Sequence, residues 1–290
     1  MIRAVLHSKV VLGLGVVVAV AVPALTLPRL PHVSIWPVLL GLVPWVVGKY
    51  LLCPLRWRAL TDAGLSRWWH VRASAEAELL GLFTPGNIGA DIWRVRRLTH
   101  HGLARGDAIA SVGLDRLVGA VGITVFVACA GAALPASLLV AAVGLAVGLL
   151  VAVLVVRRLR PGWLPRRRWP TPRQLLHGLW LSAVFQATTA GLLLATLAAT
   201  GHTLSPLALL GAFGASQLAG AIPGPHGASP REGALVVGLV ALGIPVTAAA
   251  AAVALSAAIA WLPALLLGGT SLLRTRRTLH PTVEPPLALA

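Results

Sequence analysis

The chain has 290 residues, 57% of them hydrophobic and only 11% charged, with 24 Lys and Arg against eight Asp and Glu and a formal net charge of +16. A soluble chain carries about 25% charged residues. The apolar runs are continuous rather than alternating, so a soluble enzyme and a membrane β-barrel are excluded and an all-α integral membrane protein is expected. Cys53 and Cys129 lie in apolar runs and read as small packing residues; two cysteines make no disulfide framework.

Arg3 and Lys9 precede a first apolar run, Val10 to Leu27. At about 18 residues it exceeds a typical signal-peptide core and reads as an uncleaved span. Ile35 to Cys53 is a second span, with Lys49 near its end placed to snorkel. A basic loop follows, with Arg56, Arg58, Arg67 and Arg72 and with Trp57, Trp68 and Trp69, a residue type that favours the membrane–water interface. Ala73–Phe83 and Ala90–His100 flank the break TPGNIGADIWR. Each makes only about 16 Å of helix, half of a ~30 Å hydrocarbon core, so the pair is expected to form a re-entrant helical hairpin. Its irregular tip must be buried in protein or line a wet cavity. Ala108–Ala130 is a full span carrying Asp115 and Arg116, and Ala136–Val156 another. After a loop with seven arginines between Arg157 and Arg173, Thr171-Pro172 supplies an N-cap and a first-turn proline for the span Leu175–Thr200. Ser205-Pro206 opens the next helix, which breaks at IPGPHGASP and returns as Arg231–Leu242. Thr247–Leu267 is the last span; Arg274, Arg276 and Arg277 follow it, and Pro281–Ala290 reads as a disordered tail.

The two breaks echo each other. Pro85-Gly86-x-x-Gly89 matches Pro223-Gly224-x-x-Gly227 138 residues later, and an arginine follows each, Arg94 and Arg231. Paired Gly/Pro-interrupted hydrophobic segments point to a transport site near the bilayer midplane. The charges test this layout. With a cytoplasmic N-terminus and both interrupted segments re-entrant, 20 of the 24 Lys and Arg face the cytoplasm, Arg29 alone lies outside, and Lys49, Arg116 and Arg231 stay in the membrane. A first segment that crossed fully would turn the seven-arginine loop outward, against the positive-inside rule. The expected fold is therefore six transmembrane helices plus two oppositely oriented re-entrant hairpins, an inverted repeat. It forms one polytopic domain over residues 1–280, with hairpins at about 73–100 and 205–242 and both termini cytoplasmic. The same distribution accounts for the basic balance without nucleic acid.

Charges at membrane depth cost about 2.5–3.5 kcal/mol on insertion scales unless paired or wet. Asp91 and Arg94 stand at i and i+3 on one half-helix, which allows a local ion pair or, alternatively, Arg94 as an anion ligand toward the hairpin tip. Asp115 and Arg116 are adjacent and cannot face each other, so Asp115 needs a partner on another helix. Arg231 and Glu232 follow a break near the midplane and are hardest to explain as surface charges. Glu76, four residues after Arg72, reads as half of a surface pair. The return arms put helix N-termini, with free N–H groups and partial positive charge, inside the membrane. The candidate substrate contacts are Arg94, Arg231, Asn87, Gly86, Gly89, Gly224 and Gly227. Asp91, Asp115, Arg116 and Glu232 are the candidates for charge pairing or coupling. No metal site, cofactor motif, phosphate loop or catalytic nucleophile is legible; His100 and His101 have no second cluster to complete metal-ligand spacing.

The stretches FTPGNIGADIWRVRRL and GLARGDAIASVGLDRLVG resemble a pattern of Pro-Gly-x-x-Gly-x-Asp-x-x-Arg followed by a span carrying Asp-Arg. IPGPHGASPREGALV resembles a second hairpin of the form Pro-x-x-x-Gly-x-x-Arg-Glu-Gly, departing from it at His226 and Pro230. The family so resembled is the flippase-like transmembrane region of lysylphosphatidylglycerol synthases and its stand-alone relatives. The resemblance implies movement of an anionic phospholipid or polyprenyl-phosphate lipid, or its head group, between the leaflets of the plasma (inner) membrane. It implies no catalysis by this chain, which ends soon after its last expected span, where the synthases continue into a cytosolic transferase domain. Three other functions compete: a secondary transporter of a small anion, a scaffold recruiting a cytosolic lipid-modifying enzyme through the arginine-rich loop, and an integral-membrane transferase.

Overall fold

In a computed structural model, the described residues are 34–129 except 62, 85 and 86, then 155 and 158, 169–220, and 229–279. They are helical, with no strand among them. The first helix, α1, runs Ile35–Leu60. Helices α2 (Arg67–Leu82), α3 (Ile88–His100) and α4 (Arg105–Cys129) follow. After the gap come α5 (Pro172–Ala199), α6 (Pro206–Ala219) and α7 (Pro230–Ala241). Helix α8 comprises Val246–Pro263, a π-helical turn Ala264–Gly268, and Gly269–Leu279.

Ile35–Leu60, Arg105–Phe126, Pro172–Ala199 and Val246–Thr275 are long and apolar enough to cross a membrane. The expected spans Val10–Leu27 and Ala136–Val156, most of the seven-arginine loop and the tail lie outside the described residues. The second expected span ends too early: α1 continues past Cys53 to Leu60. Pro54 does not stop it because a π turn, Gly48–Leu52, comes just before and opens the helix where the proline ring would meet a preceding carbonyl. Pro263 similarly adjoins the π turn of α8. The extension carries Arg56 and Trp57 out of the expected loop and into the interior, where Trp57 is fully buried and donates from Nε1 to Ser111 Oγ at 3.0 Å.

Helix α5 is the axis of the molecule, packing against α1, α4, α6 and α8. Its start is the expected one: Thr171 N–H donates to Gln174 Oε1 at 2.8 Å, and Gln174 N–H donates back to Thr171 Oγ1 at 3.3 Å. This reciprocal box satisfies two donors that a helix start leaves free. Between helices in lipid, close packing replaces the hydrophobic drive. At Gly41 a Cβ would strike Ala195 and the Leu192 backbone, so α1 and α5 touch nearly backbone to backbone. Two apolar cores lie on either side. One, around Trp57, Ala73, Leu98 and Val112, joins α1 to α4. The other, around Leu197, Leu209, Phe213, Leu239 and Val253, joins α5 to α8. Each half thus contains one interrupted pair of short helices, α2 with α3 and α6 with α7, packed arm against arm.

Candidate functional site

The polar interior begins where α3 meets α4. Asp91 and Arg94 do not pair with each other. Asp91 accepts from Arg116 on α4 (Nε to Oδ1, 3.0 Å), and Arg94 donates from Nη1 to Asp115 Oδ2 at 3.1 Å. Residues three apart on one helix and adjacent on the next thus make two parallel ties, one half-exposed and one buried. Asp115, 1% exposed, is claimed a second time by Arg56 of α1, whose Nε and Nη2 reach its two oxygens at 2.8 and 3.2 Å. Arg56 Nη1 donates to Ser182 of α5 at 3.2 Å. One carboxylate therefore binds α1, α3 and α4 together, and α5 joins through Arg56. This is the inter-helix pairing that an intramembrane carboxylate requires.

Two glutamates of α2 extend the network. Glu78 accepts Lys49 Nζ at 2.9 Å and lies 3.7 Å from Arg94 Nη2. Lys49 is thus an interior ion-pair partner rather than a snorkelling side chain, because the π turn holds it toward α2 instead of toward an interface. Glu76 is not paired with Arg72 at the surface. It is fully buried and accepts from Trp93 Nε1 at 2.9 Å, Ser271 Oγ at 2.8 Å and Thr275 Oγ1 at 2.7 Å, with Arg97 Nε 3.3 Å away. The end of α8 is tied to the first interrupted pair through this one side chain.

The second interrupted pair is built differently. Arg231 and Glu232 both line a cavity of about 90 Å³, together with Trp45, Thr189, Phe213, Val253 and Ser256. Glu232 accepts from the Ser229 N–H at 2.8 Å and from the Ser229 hydroxyl, closing the box that caps α7. With the Gln217 amide turned so that its oxygen faces the guanidinium, it accepts from Arg231 Nε at 3.2 Å and Nη2 at 3.0 Å. No described carboxylate lies within ion-pair distance of Arg231.

The two arginines of the sequence echo are therefore not structurally equivalent. Arg231 is the second residue of α7, whereas Arg94 is the seventh of α3, about 9 Å along the helix from its start, so it does not stand at the hairpin tip. Asn87 takes a left-handed conformation, φ 63°, at the start of α3. Its side chain fills the space over Gly81, and Gly89 N–H donates to Thr84 Oγ1 at 2.8 Å. These contacts explain how the chain reverses between α2 and α3. Gly86, Gly224 and Gly227 lie outside the described residues.

Arg56, Lys49, Glu76, Glu78, Ser182 and Gln217 belong to the polar interior and were not among the residues singled out from sequence as site candidates. For the glutamates the signal was scarcity: the chain has eight acidic residues, and two of them sit in the apolar arm before the first break.

The molecule is inside out by the standards of a soluble protein. Arg56, Glu76, Arg94 and Asp115 are buried, while Trp36, Leu40 and Val237 are 72%, 75% and 69% exposed. Charges paired within a helical shell whose apolar faces point outward define an integral membrane protein. The model of the lysylphosphatidylglycerol synthase transmembrane region matches residues 8–268, and the chain belongs to that family. No curated protein and no solved structure matches it. Membership ties the chain to membrane lipid modification.

Proposed function

We propose that the chain moves an anionic lipid, or a lipid-linked head group, between bilayer leaflets, and that it is a transporter rather than a transferase. One observation carries this reading. Arg231 stands at the first turn of a helix, at the edge of a mostly apolar cavity, with a neutral amide instead of a carboxylate as its partner. A guanidinium hydrogen-bonded to a neutral amide, in a cavity whose carboxylate, Glu232, is engaged by Ser229, suits a phosphate beside the N–H groups of a helix start. The acyl chains would remain in lipid. The cavity has room for a small polar group and not for a whole lipid, which fits a closed state of an alternating-access cycle.

The arms of the interrupted pairs support re-entrance. Their 16, 13, 14 and 12 residues give about 24, 20, 21 and 18 Å of helix, all short of a ~30 Å core. With the positive-inside balance, they favour six spans and two inverted hairpins, both termini cytoplasmic, in the plasma membrane. Single cysteines at Ser66 and Ala104, in a background lacking Cys53 and Cys129, should react from the same side, and one at Thr203 from the other. Labelling of the first two from opposite faces would rule out the first hairpin.

The functional test is exchange of a fluorescent phosphatidylglycerol between the leaflets of proteoliposomes, with a labelled polyprenyl phosphate as the second arm. Arg231→Gln should abolish exchange at unchanged thermal stability, and Arg231→Lys should keep part of it, since lysine retains the charge but not the two-pronged geometry. Full exchange by a folded Arg231→Gln protein rejects the assignment.

A further inference from the structure

The charged side chains around Glu78 do not balance. Lys49, Arg56 and Arg94 face two carboxylates, Glu78 and Asp115. The pairs Asp91–Arg116 and Glu76–Arg97 beside them are each neutral in themselves. Asp115 is saturated by Arg56 and Arg94, so the imbalance falls on Glu78, which answers Lys49 at 2.9 Å and Arg94 at the looser 3.7 Å. Arg94 is 5% exposed, and its Nε–H has no partner. Among the described residues, an interior with one cation too many and a buried donor without a hydrogen bond is short of one negative charge.

The position of Lys49 says where that charge would come from. It is the fifteenth residue of the 26-residue helix α1, about mid-span. Trp45, four residues before it, lines the Arg231 cavity. Across the interface its ammonium lies 5.8 Å from the Phe185 ring, and Thr189, four residues on, lines the same cavity. Lys49 therefore lies one helical turn from the cavity along both α1 and α5, and Glu78 links it to Arg94 on the far side. It is also the least enclosed cation of the three, its side chain 23% exposed against 9% for Arg56 and 6% for Arg94.

We infer that Lys49 is a mid-membrane anion ligand, with Glu78 as the counter-ion that holds its place until the phosphate of a head group displaces it. The inference rests on the proposed transport function and deepens it: the phosphate passes from Arg231 to Lys49 and Arg94. A phosphodiester with one negative charge neutralises the cluster; the Arg56–Asp115 pair stays intact as its wall. Lysine suits a transit point better than arginine, because it offers charge without a rigid fork that would hold the anion too long.

The experiment is leaflet exchange of fluorescent phosphatidylglycerol in proteoliposomes, with inorganic phosphate trapped in the same vesicles to detect a soluble anion route. Lys49→Gln should slow exchange at least about tenfold, and Lys49→Arg should restore much of it. Because Lys49→Gln strands Glu78, the double variant Lys49→Gln/Glu78→Gln decides between roles. A ligand role leaves the double variant stable and still slow; a structural ion pair returns it to wild-type exchange and overturns the inference. Wild-type rates in a folded Lys49→Gln protein overturn it as well, as does Lys49-dependent phosphate release without lipid exchange. Wild-type protein that exchanges neither labelled lipid above protein-free vesicles rejects the transport function itself, a separate outcome.

Discussion

Asp115 is the residue whose loss should be felt most. Asp115→Asn preserves size and removes the charge. The carboxylate now accepts three guanidinium N–H groups, two from Arg56 and one from Arg94, at 2.8, 3.2 and 3.1 Å. Asparagine has one acceptor oxygen, and its NH₂ points donors at donors. Arg56, with the Ser182 hydroxyl, and Arg94, with Glu78 at 3.7 Å, would compete for that one oxygen. Breaking a buried ion pair by removing one partner costs about 3–5 kcal/mol. Two cations are stranded here, so the upper part of that range applies, a large share of the roughly 5–15 kcal/mol that holds a domain folded. The variant should unfold roughly 10 °C lower in detergent. Removing one stranded cation as well, in Arg56→Gln/Asp115→Asn, should recover at least about 1 kcal/mol relative to additivity, since the two side chains touch. A midpoint for Asp115→Asn within 2 °C of wild type, on the order of 0.5–1 kcal/mol, would refute the view that this carboxylate holds three helices together.

Glu76→Gln should cost about 3 kcal/mol by leaving Arg97 without its carboxylate, and it should speed hydrogen exchange in residues 271–279; unchanged protection there would show that α8 is anchored by other contacts. Gly268→Ala should destabilise by about 1–3 kcal/mol, because the added Cβ meets the Ala75 carbonyl and Leu79, and backbone cannot yield cheaply; a neutral midpoint would mean that α2 and α8 can separate freely. The ring of His101 accepts Trp69 Nε1–H on Nε2 at 2.7 Å, and partial burial, with Arg97 and His100 nearby, holds its pKa below the ordinary imidazole value. The neutral form is thus the one the fold prefers, so its stabilising contribution is present above about pH 6.5 and lost as pH falls through the lower folded value. The thermal midpoint of wild type should drop between pH 7.5 and 5.5 by more than that of His101→Gln, and equal slopes would remove His101 as the cause.

Much of this was visible in sequence because membrane burial makes charges conspicuous. The breaks at Pro85 and Pro223, the helix starts at Thr171 and Ser205, and the need of Asp115 for a remote partner all follow from local chemistry. What local chemistry could not supply was which helix the partner stood on. Asp91 and Arg94 have the right spacing to satisfy each other, yet α4 packs close enough to offer both a better partner. Arg56 and Trp57 were misplaced for another reason. A proline after an apolar run reads as its end, and the π turn that lets the helix continue leaves no simple sequence signature. Glu76 has an arginine within reach in sequence, Arg72, but its partners lie on α3 and nearly 200 residues away on α8.

The difference between the two interrupted pairs bears directly on the proposed transport. In the first, every carboxylate is bonded across to another helix, and moving α3 away from α4 would break Asp91–Arg116 and Arg94–Asp115 together. In the second, Glu232 is spent on capping its own helix, and Arg231 is held to α6 by one amide. Separating α6 from α7 thus costs no ion pair among the described residues. The α6–α7 interface is therefore the one that can open, and α1 to α4 with α5 is the frame. Cross-linking should reveal this. A disulfide tying α6 to α7, whose backbones come into close contact at Ala212 and Gly238, should stop lipid exchange and be reversed by reductant. A tether between α3 and α4 should leave exchange intact, because those helices are already locked. Exchange that survives the first tether and fails with the second would invert the assignment of frame and moving part.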